Sequence, residues 1–415
     1  MKYKYLWIAC LAWACNSEVE QPERIVKDYA VAEKNLQLNG EDHFFQGFYT
    51  NDRTMITDPE ADMDFQKFKE GGFDWLYMKL EVGEDGLPAA QDLAFLDRCK
   101  ENGISVLVDR FGSKTIAETA KAYGSHPAIF GYNLLDDANA HGDRQSVLTN
   151  QRQVKLYAGD KYSMVSVYQN YEGGASKPPL EFSGAADITG FQTYPIGNWA
   201  INLNPPAFTE EEVLMSVDNR LEKFQETNGP ISPLVPNPQV FPWISNKDAG
   251  GNGTGLERLP TPQEYRNMTY VGVINGAKSI MNYSLHEAPA KVGEEWFEWI
   301  AYDSEPLWSE VLKVKKELDA ITPMLLNGKR AKAHQDNKWI TAAYWNVDGT
   351  YYMMVANLSL EESQEYNIEI PVKTATASEQ PLEINGTASD DLPVISDYAM
   401  KGTIDKMEVR LYQIK

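Results

Sequence analysis

The side chains able to do chemistry sit at the ends of short apolar runs. Tyr49, Asn51 and Asp52 follow the first run, Lys79 and Glu81 the second, and Asp109 and Arg110 the third. Asp136, Asp137 and Asn139 follow the fourth, and Tyr168, Gln169 and Asn170 the fifth. Tyr194 closes the sixth. Gln239 and Trp243 follow the seventh, and Tyr283, His286 and Glu287 the eighth. Two carboxyls can share acid and base work on an acetal, amides pair with hydroxyls, and aromatic faces stack on sugar C–H surfaces. An uncleaved polyol would need the same groups without the catalytic pair. The five His are scattered, and no Cys/His cluster has metal-ligand spacing, so neither a metal nor a cofactor is expected.

Eight apolar runs must carry these groups. They cover residues 44–49, 73–80, 104–109, 128–135, 162–168, 187–194, 231–235 and 277–283, and they are rich in β-branched and aromatic residues. Such runs suit parallel strands covered on both faces. Helical patterns alternate with them at 60–70, 89–101, 116–123, 143–157, 209–227, 262–274 and 303–321. Thr261-Pro262-Gln263-Glu264 is a helix start, with Thr at the N-cap, Pro first and Glu third. Strand–helix units in this number predict a (β/α)8 TIM barrel, whose site lies at the C-terminal ends of the strands. An open doubly wound sheet is disfavoured because no Gly-rich phosphate turn follows the first run. Gly250–Gly255 lacks the Lys-Ser/Thr of a P-loop.

After Asn327 the period changes. Short alternating runs at 339–345, 351–358, 365–370, 381–384 and 406–412 predict a small antiparallel β-sandwich. The expected organisation is a barrel over 39–327 and a sandwich over 328–415. Trp75 and Trp308 read as core. Trp296 and Trp299 read as mouth-loop residues or, at i, i+3 spacing, as the apolar face of a helix.

Residues 1–15 read as an address. Lys2 and Lys4 precede an apolar run too short to span a bilayer, and Ala14 precedes Cys15. This order resembles a bacterial lipoprotein signal, with Cys15 acylated and residues 16–38 a tether. The expected location is extracytoplasmic, with membrane contact through that anchor. Cys99 alone remains in the folded part, where it reads as a small buried hydrophobe. A net charge of −22 opposes sequence-independent nucleic-acid binding.

Residues 126–139 read His-Pro-Ala-Ile-Phe-Gly-Tyr-Asn-Leu-Leu-Asp-Asp-Ala-Asn. This resembles the strand-4 segment of clan A glycoside hydrolases, including relatives of the family 42 β-galactosidases. Residues 185–196, ending in Tyr194-Pro195-Ile196, and residues 259–284 are similar to the strand-6 and helix-7-to-strand-8 segments of the same barrels. The resemblance implies a glycoside hydrolase acting on an oligo- or polysaccharide, with Asp137 in the acid/base place usually held by Glu. It also implies a nucleophilic Glu at the end of strand 7, where this chain has Gln239. An amide cannot serve as a carboxylate nucleophile. Either another carboxyl takes the part, Glu287 first and Asp109 second, or the protein binds glycans without cleaving them. Tyr49, Asn51, Asp136, Asn139, Gln169, Tyr194, Gln239, Trp243 and Tyr283 are the expected substrate contacts.

Overall fold

The computed structural model describes residues 34–57, 62–124, 126–168, 177–197, 208–228, 231–242, 258–292, 295–373, 375–380 and 392–415. Cys15 and the segment before it, Gln169, Asn170, Trp243, Gly250–Gly255 and the run at 381–384 lie outside these residues. A short hairpin comes first, β1 (Leu36–Leu38) and β2 (Glu41–His43), where a tether was expected to run to 38. Leu36 is fully buried and packs with the inward residues of the barrel, and the Gln37 amide donates to the Tyr162 hydroxyl.

The barrel strands are β3 (Gln46–Tyr49), β4 (Trp75–Leu80), β5 (Ser105–Arg110), β6 (Ile129–Asn133), β7 (Tyr162–Tyr168), β8 (Ile188–Gln192), β9 (Leu234–Asn237) and β10 (Ile280–Asn282). They pair in chain order, all parallel, with β10 beside β3. The helices between them are α1 (Thr54–Thr57), α2 (Met63–Glu70), α3 (Ala90–Glu101), α4 (Ile116–Tyr123), α5 (Ala138–His141), α6 (Arg144–Ala158), α7 (Val213–Asn228) and α8 (Pro262–Ile274). The capping box at Thr261 forms as the sequence predicts. The seam between β9 and β10 is thin because Pro236 and Pro238 have no N–H to offer. The Asn237 side chain fills the gap by donating to the Met281 carbonyl at 2.8 Å.

Inside the barrel, alternate residues stack in layers of unequal size. Trp75, Tyr77, Leu107, Met164, Ile188, Val235 and Met281 fill the interior. Gly47 and Gly131 make room for their neighbours: a Cβ on Gly47 would stand 1.5 Å from the Trp75 carbonyl oxygen, and one on Gly131 2.5 Å from that of Tyr162.

Beyond β10 the chain forms a hairpin, β11 (His286–Val292) and β12 (Glu295–Ile300), followed by α9 (Glu305–Asn327). Trp296 and Trp299 therefore lie on a strand rather than in a loop or helix. Helix α9 continues through Pro323, past the expected end at 321. The Thr322 hydroxyl donates to the Leu318 carbonyl within the turn that Pro323 disturbs.

Two antiparallel sheets follow. The larger contains β13 (Lys329–Lys332), β14 (Ile340–Val347), β15 (Thr350–Asn357), β17 (Ala377–Gln380) and β20 (Val409–Ile414). The smaller contains β16 (Gln364–Glu369), β18 (Val394–Ser396) and β19 (Ala399–Ile404). Alternation divides the larger sheet between two cores. Ala342, Tyr344, Met353 and Val355 face the smaller sheet. Ala343, Trp345, Met354 and Ala356 join the barrel's helix layer. Asp218 on α7 anchors that contact, accepting from Asn275, Lys332 and Thr341 at 2.7–3.0 Å.

Gly47→Ala should lower stability by about 3 kcal/mol or more, because the backbone of β4 cannot yield to the new methyl. The midpoint of thermal unfolding measures this, and an unchanged midpoint contradicts the packing described.

Candidate functional site

The C-terminal ends of the barrel strands bring most of the expected residues together. Tyr49 stacks on Tyr77 with ring centroids 4.1 Å apart and shares a 2.6 Å hydrogen bond with Ser166. The Tyr77 hydroxyl donates to Asp109 Oδ2 at 2.5 Å, and the Arg110 amide donates to Oδ1 at 2.7 Å. Both Asp109 oxygens are thus engaged by the protein, and the residue is buried. Burial pushes its carboxyl up, against the pull of Tyr77, Arg110 and Lys79.

Strand β6 ends at Asn133, so Asp136 and Asp137 stand on a turn, where strand alternation no longer separates them. Asp137 has φ 47°, in the left-handed region, and precedes α5. Both carboxyls act on the same tyrosines, Tyr49, Tyr194 and Tyr283. Burial, then Asp137, then Asp109 push Asp136 up to about 8, with Lys79 opposing. Burial raises Asp137 also, with His141 and Gln192 opposing. The Gln192 amide donates to Asp136 Oδ1 at 3.0 Å. Asp137 Oδ1 is buried with no hydrogen-bond partner. Burial and neighbouring carboxylates also raise Tyr49, Tyr194 and Tyr283, which keeps their hydroxyls protonated as donors.

Glu287 enters from the other side of the mouth. Asn51 Nδ2 donates to Tyr283 Oη at 2.8 Å and to Glu287 Oε2 at 2.9 Å, while its Oδ1 accepts from Lys79 Nζ at 2.8 Å. Glu287 Oε1 is buried without a partner. Its register neighbour is Trp299, so both side chains share one face of the β11–β12 hairpin. The indole Nε1 of Trp299 is likewise buried and unpartnered. The hairpin's first residue is fixed from behind. His286 Nδ1 lies 2.6 Å from Asp64 Oδ2, Tyr302 donates to the other Asp64 oxygen, and the His286 carbonyl accepts from the Asn51 amide at 3.0 Å.

Asp52, Asp64 and His286 have ligand atoms within 4.8 Å of one another. Tetrahedral ligands at about 2.1 Å from an ion stand roughly 3.4 Å apart. The 2.6 Å Asp64–His286 approach is a hydrogen bond instead. Asp52 Oδ2 already accepts from the Thr54 amide at 2.5 Å. The trio reads as a clamp on the hairpin.

Two expected sugar contacts are occupied by backbone. The Asn139 amide pairs with the N–H and carbonyl of Tyr168 at 3.0 and 2.9 Å. Gln239 accepts from the Ile196 amide at 3.0 Å and donates to the carbonyls of Ile196 and Phe241 at 2.9 and 3.0 Å. A carboxylate could not make the two donations, so the amide at this place holds the loop after β8. Gln192 and Trp299 belong to the site but were not among the expected contacts. Gln192 shares strand parity with Tyr194, a signal open to a closer reading of that run.

No family model and no curated protein matches the chain. Solved structures do. An α-amylase from Geobacillus thermoleovorans, complexed with acarbose, is 12% identical with a TM-score of 0.54, covering 90% of this chain and 99% of that one. A glycoside hydrolase family 5 protein from Bacteroides vulgatus is 11% identical with a TM-score of 0.56, covering 91% and 90%. A further glycoside hydrolase gives 12% and 0.57, covering 91% and 93%. The chain therefore shares the barrel-plus-sandwich fold of these enzymes.

A raised carboxyl makes a signed prediction. Asp136 contributes stability in its neutral form, fully present below the unfolded value of about 3.9 and lost as pH rises through about 8. Asp136→Asn should therefore raise the thermal midpoint relative to the parent at pH 9, with a smaller difference at pH 5. A difference that is constant with pH contradicts the burial of that charge.

Proposed function

We propose that the protein is a glycoside hydrolase acting on an oligo- or polysaccharide outside the cytoplasm, anchored through an acylated Cys15. The observation that carries the reading is the meeting of two carboxyl sources at one mouth. Asp136–Asp137 and Glu287 both act on the Tyr283 hydroxyl, and each source has a buried oxygen that no protein group engages. A sugar's hydroxyls and glycosidic oxygen are suitable partners for those atoms. The glycosidase neighbours, one of them solved with acarbose, support the same reading through the fold. The resemblance of residues 126–139 to the strand-4 segment of clan A glycoside hydrolases supports Asp137 as the acid.

Like charges side by side cannot both ionise cheaply, so the Asp136–Asp137 pair retains a proton near neutral pH. Asp137, with its free oxygen, delivers that proton to the leaving-group oxygen. Glu287 is the second carboxyl, acting on the anomeric carbon directly or through a water. Carboxyl separations of roughly 5–5.5 Å give the first route and roughly 6.5–9.5 Å the second. Asn51 and Tyr283 orient Glu287, and Trp299 offers its ring and indole N–H to the sugar beside it.

Release of reducing ends from a glycan panel tests the assignment. Asp137→Asn and Glu287→Gln should each cut turnover by roughly 10²–10⁴-fold with affinity for the same glycan largely kept. Full turnover in either variant removes that residue from the chemistry. Glycan binding by the parent without any cleavage would make it a binding protein on a glycosidase fold.

A further inference from the structure

The rungs of β5 climb from core to rim. Leu107 packs inside the barrel, Asp109 lies at the site, and Phe111 is the next residue of the same parity. The Phe111 amide donates to the Leu80 carbonyl at 3.1 Å, which carries the ladder one residue beyond the strand and preserves the alternation. Phe111 therefore stands above Asp109, its Cα within about 7 Å along the chain. The residue is 42% exposed.

The ring is also held. The Arg53 guanidinium lies 4.5 Å from its centroid. Arg53 is itself locked, donating to the Lys79 carbonyl and to Asp92 Oδ1, both at 2.7 Å, with its side chain 10% exposed. One face of Phe111 thus rests on a fixed cation, a favourable contact that orients the ring. A single exposed apolar side chain is ordinary at a protein surface. One held by Arg53, one rung above the Asp109 carboxyl, has the setting that a stacking platform needs.

We propose that Phe111 is an outer subsite that stacks a sugar ring of a neutral glycan chain leaving the mouth over β4 and β5. The inference rests on the glycan reading of the barrel mouth and deepens it, since it requires a chain longer than the unit at the carboxyls. The charge of the cleft selects the chain. Asp109, Glu287 and the one charge left on the Asp136–Asp137 pair face Lys79, with Arg110 at the rim, and the whole chain carries −22. A polyuronide would bring further carboxylates into that field and be repelled.

Affinity electrophoresis of the full chain tests this, in gels containing starch, xylan, mannan, β-glucan, galactan or polygalacturonate. Retardation of the parent by at least one neutral polysaccharide is expected. Phe111→Ala should weaken it about 2- to 12-fold, the scale of one aromatic contact, and Phe111→Trp should restore it. An unchanged thermal midpoint in Phe111→Ala confirms that the fold is intact. Retardation of Phe111→Ala equal to the parent's overturns the platform and leaves the mouth reading standing. Retardation by polygalacturonate as strong as by any neutral chain overturns the charge selection. A parent retarded by no polysaccharide overturns the glycan reading, and the platform with it.

Discussion

Four carboxyl groups share one cleft with Lys79, and that crowding of negative charge shapes the rest of the site. Asp109 is tolerable in the barrel because Tyr77 and the Arg110 amide both donate to it. Above it, Asp136 and Asp137 cannot both ionise at low cost, so a proton stays with them. Tyrosine hydroxyls, raised by burial and then by their charged and phenolic neighbours, remain donors. Glu287 sits across the mouth, held by the Asn51 amide, which in turn accepts from Lys79. A proton-holding pair on one side and Glu287 on the other follow from where the charges are placed.

The barrel exists to fix these positions, and its irregular places are where the site is made. Pro236 and Pro238 interrupt the ladder at the end of β9, and side-chain amides take over. Asn237 bonds to β10, and Gln239 bonds to the loop after β8. The amide at the end of the seventh barrel strand is thus engaged by the loop after the sixth. Glu287 comes from a hairpin after β10, clamped through His286 and Asp64.

The barrel strands were legible because each is a short apolar run and most have a helix pattern after them, one of which opens on the Thr261 cap. Glu287 was legible as a charged residue past the last barrel strand, but its approach to Asn51 was not, since a tertiary hairpin sets it. The fates of Asn139 and Gln239 were hidden for a general reason: an amide that will bond a sugar and one that will bond a backbone carbonyl look the same in a sequence. The tether expected over 16–38 includes β1 because Leu36 and Leu38 are isolated apolar residues in a polar stretch. The double role of β14 and β15 was hidden too. Alternation gives two faces, and whether the second meets water or the helix layer depends on Asp218 and its partners.

The proposed chemistry requires a sugar to bind between Asp137 and Glu287. A crystal structure of the Glu287→Gln variant with a bound oligosaccharide tests it most directly. A glycosidic oxygen within hydrogen-bond reach of Asp137 and a sugar ring beside Trp299 are expected. An oligosaccharide seated only elsewhere, such as the cavity of about 520 Å3 lined by Asp336, Glu365 and Lys401 on the sandwich, would contradict it.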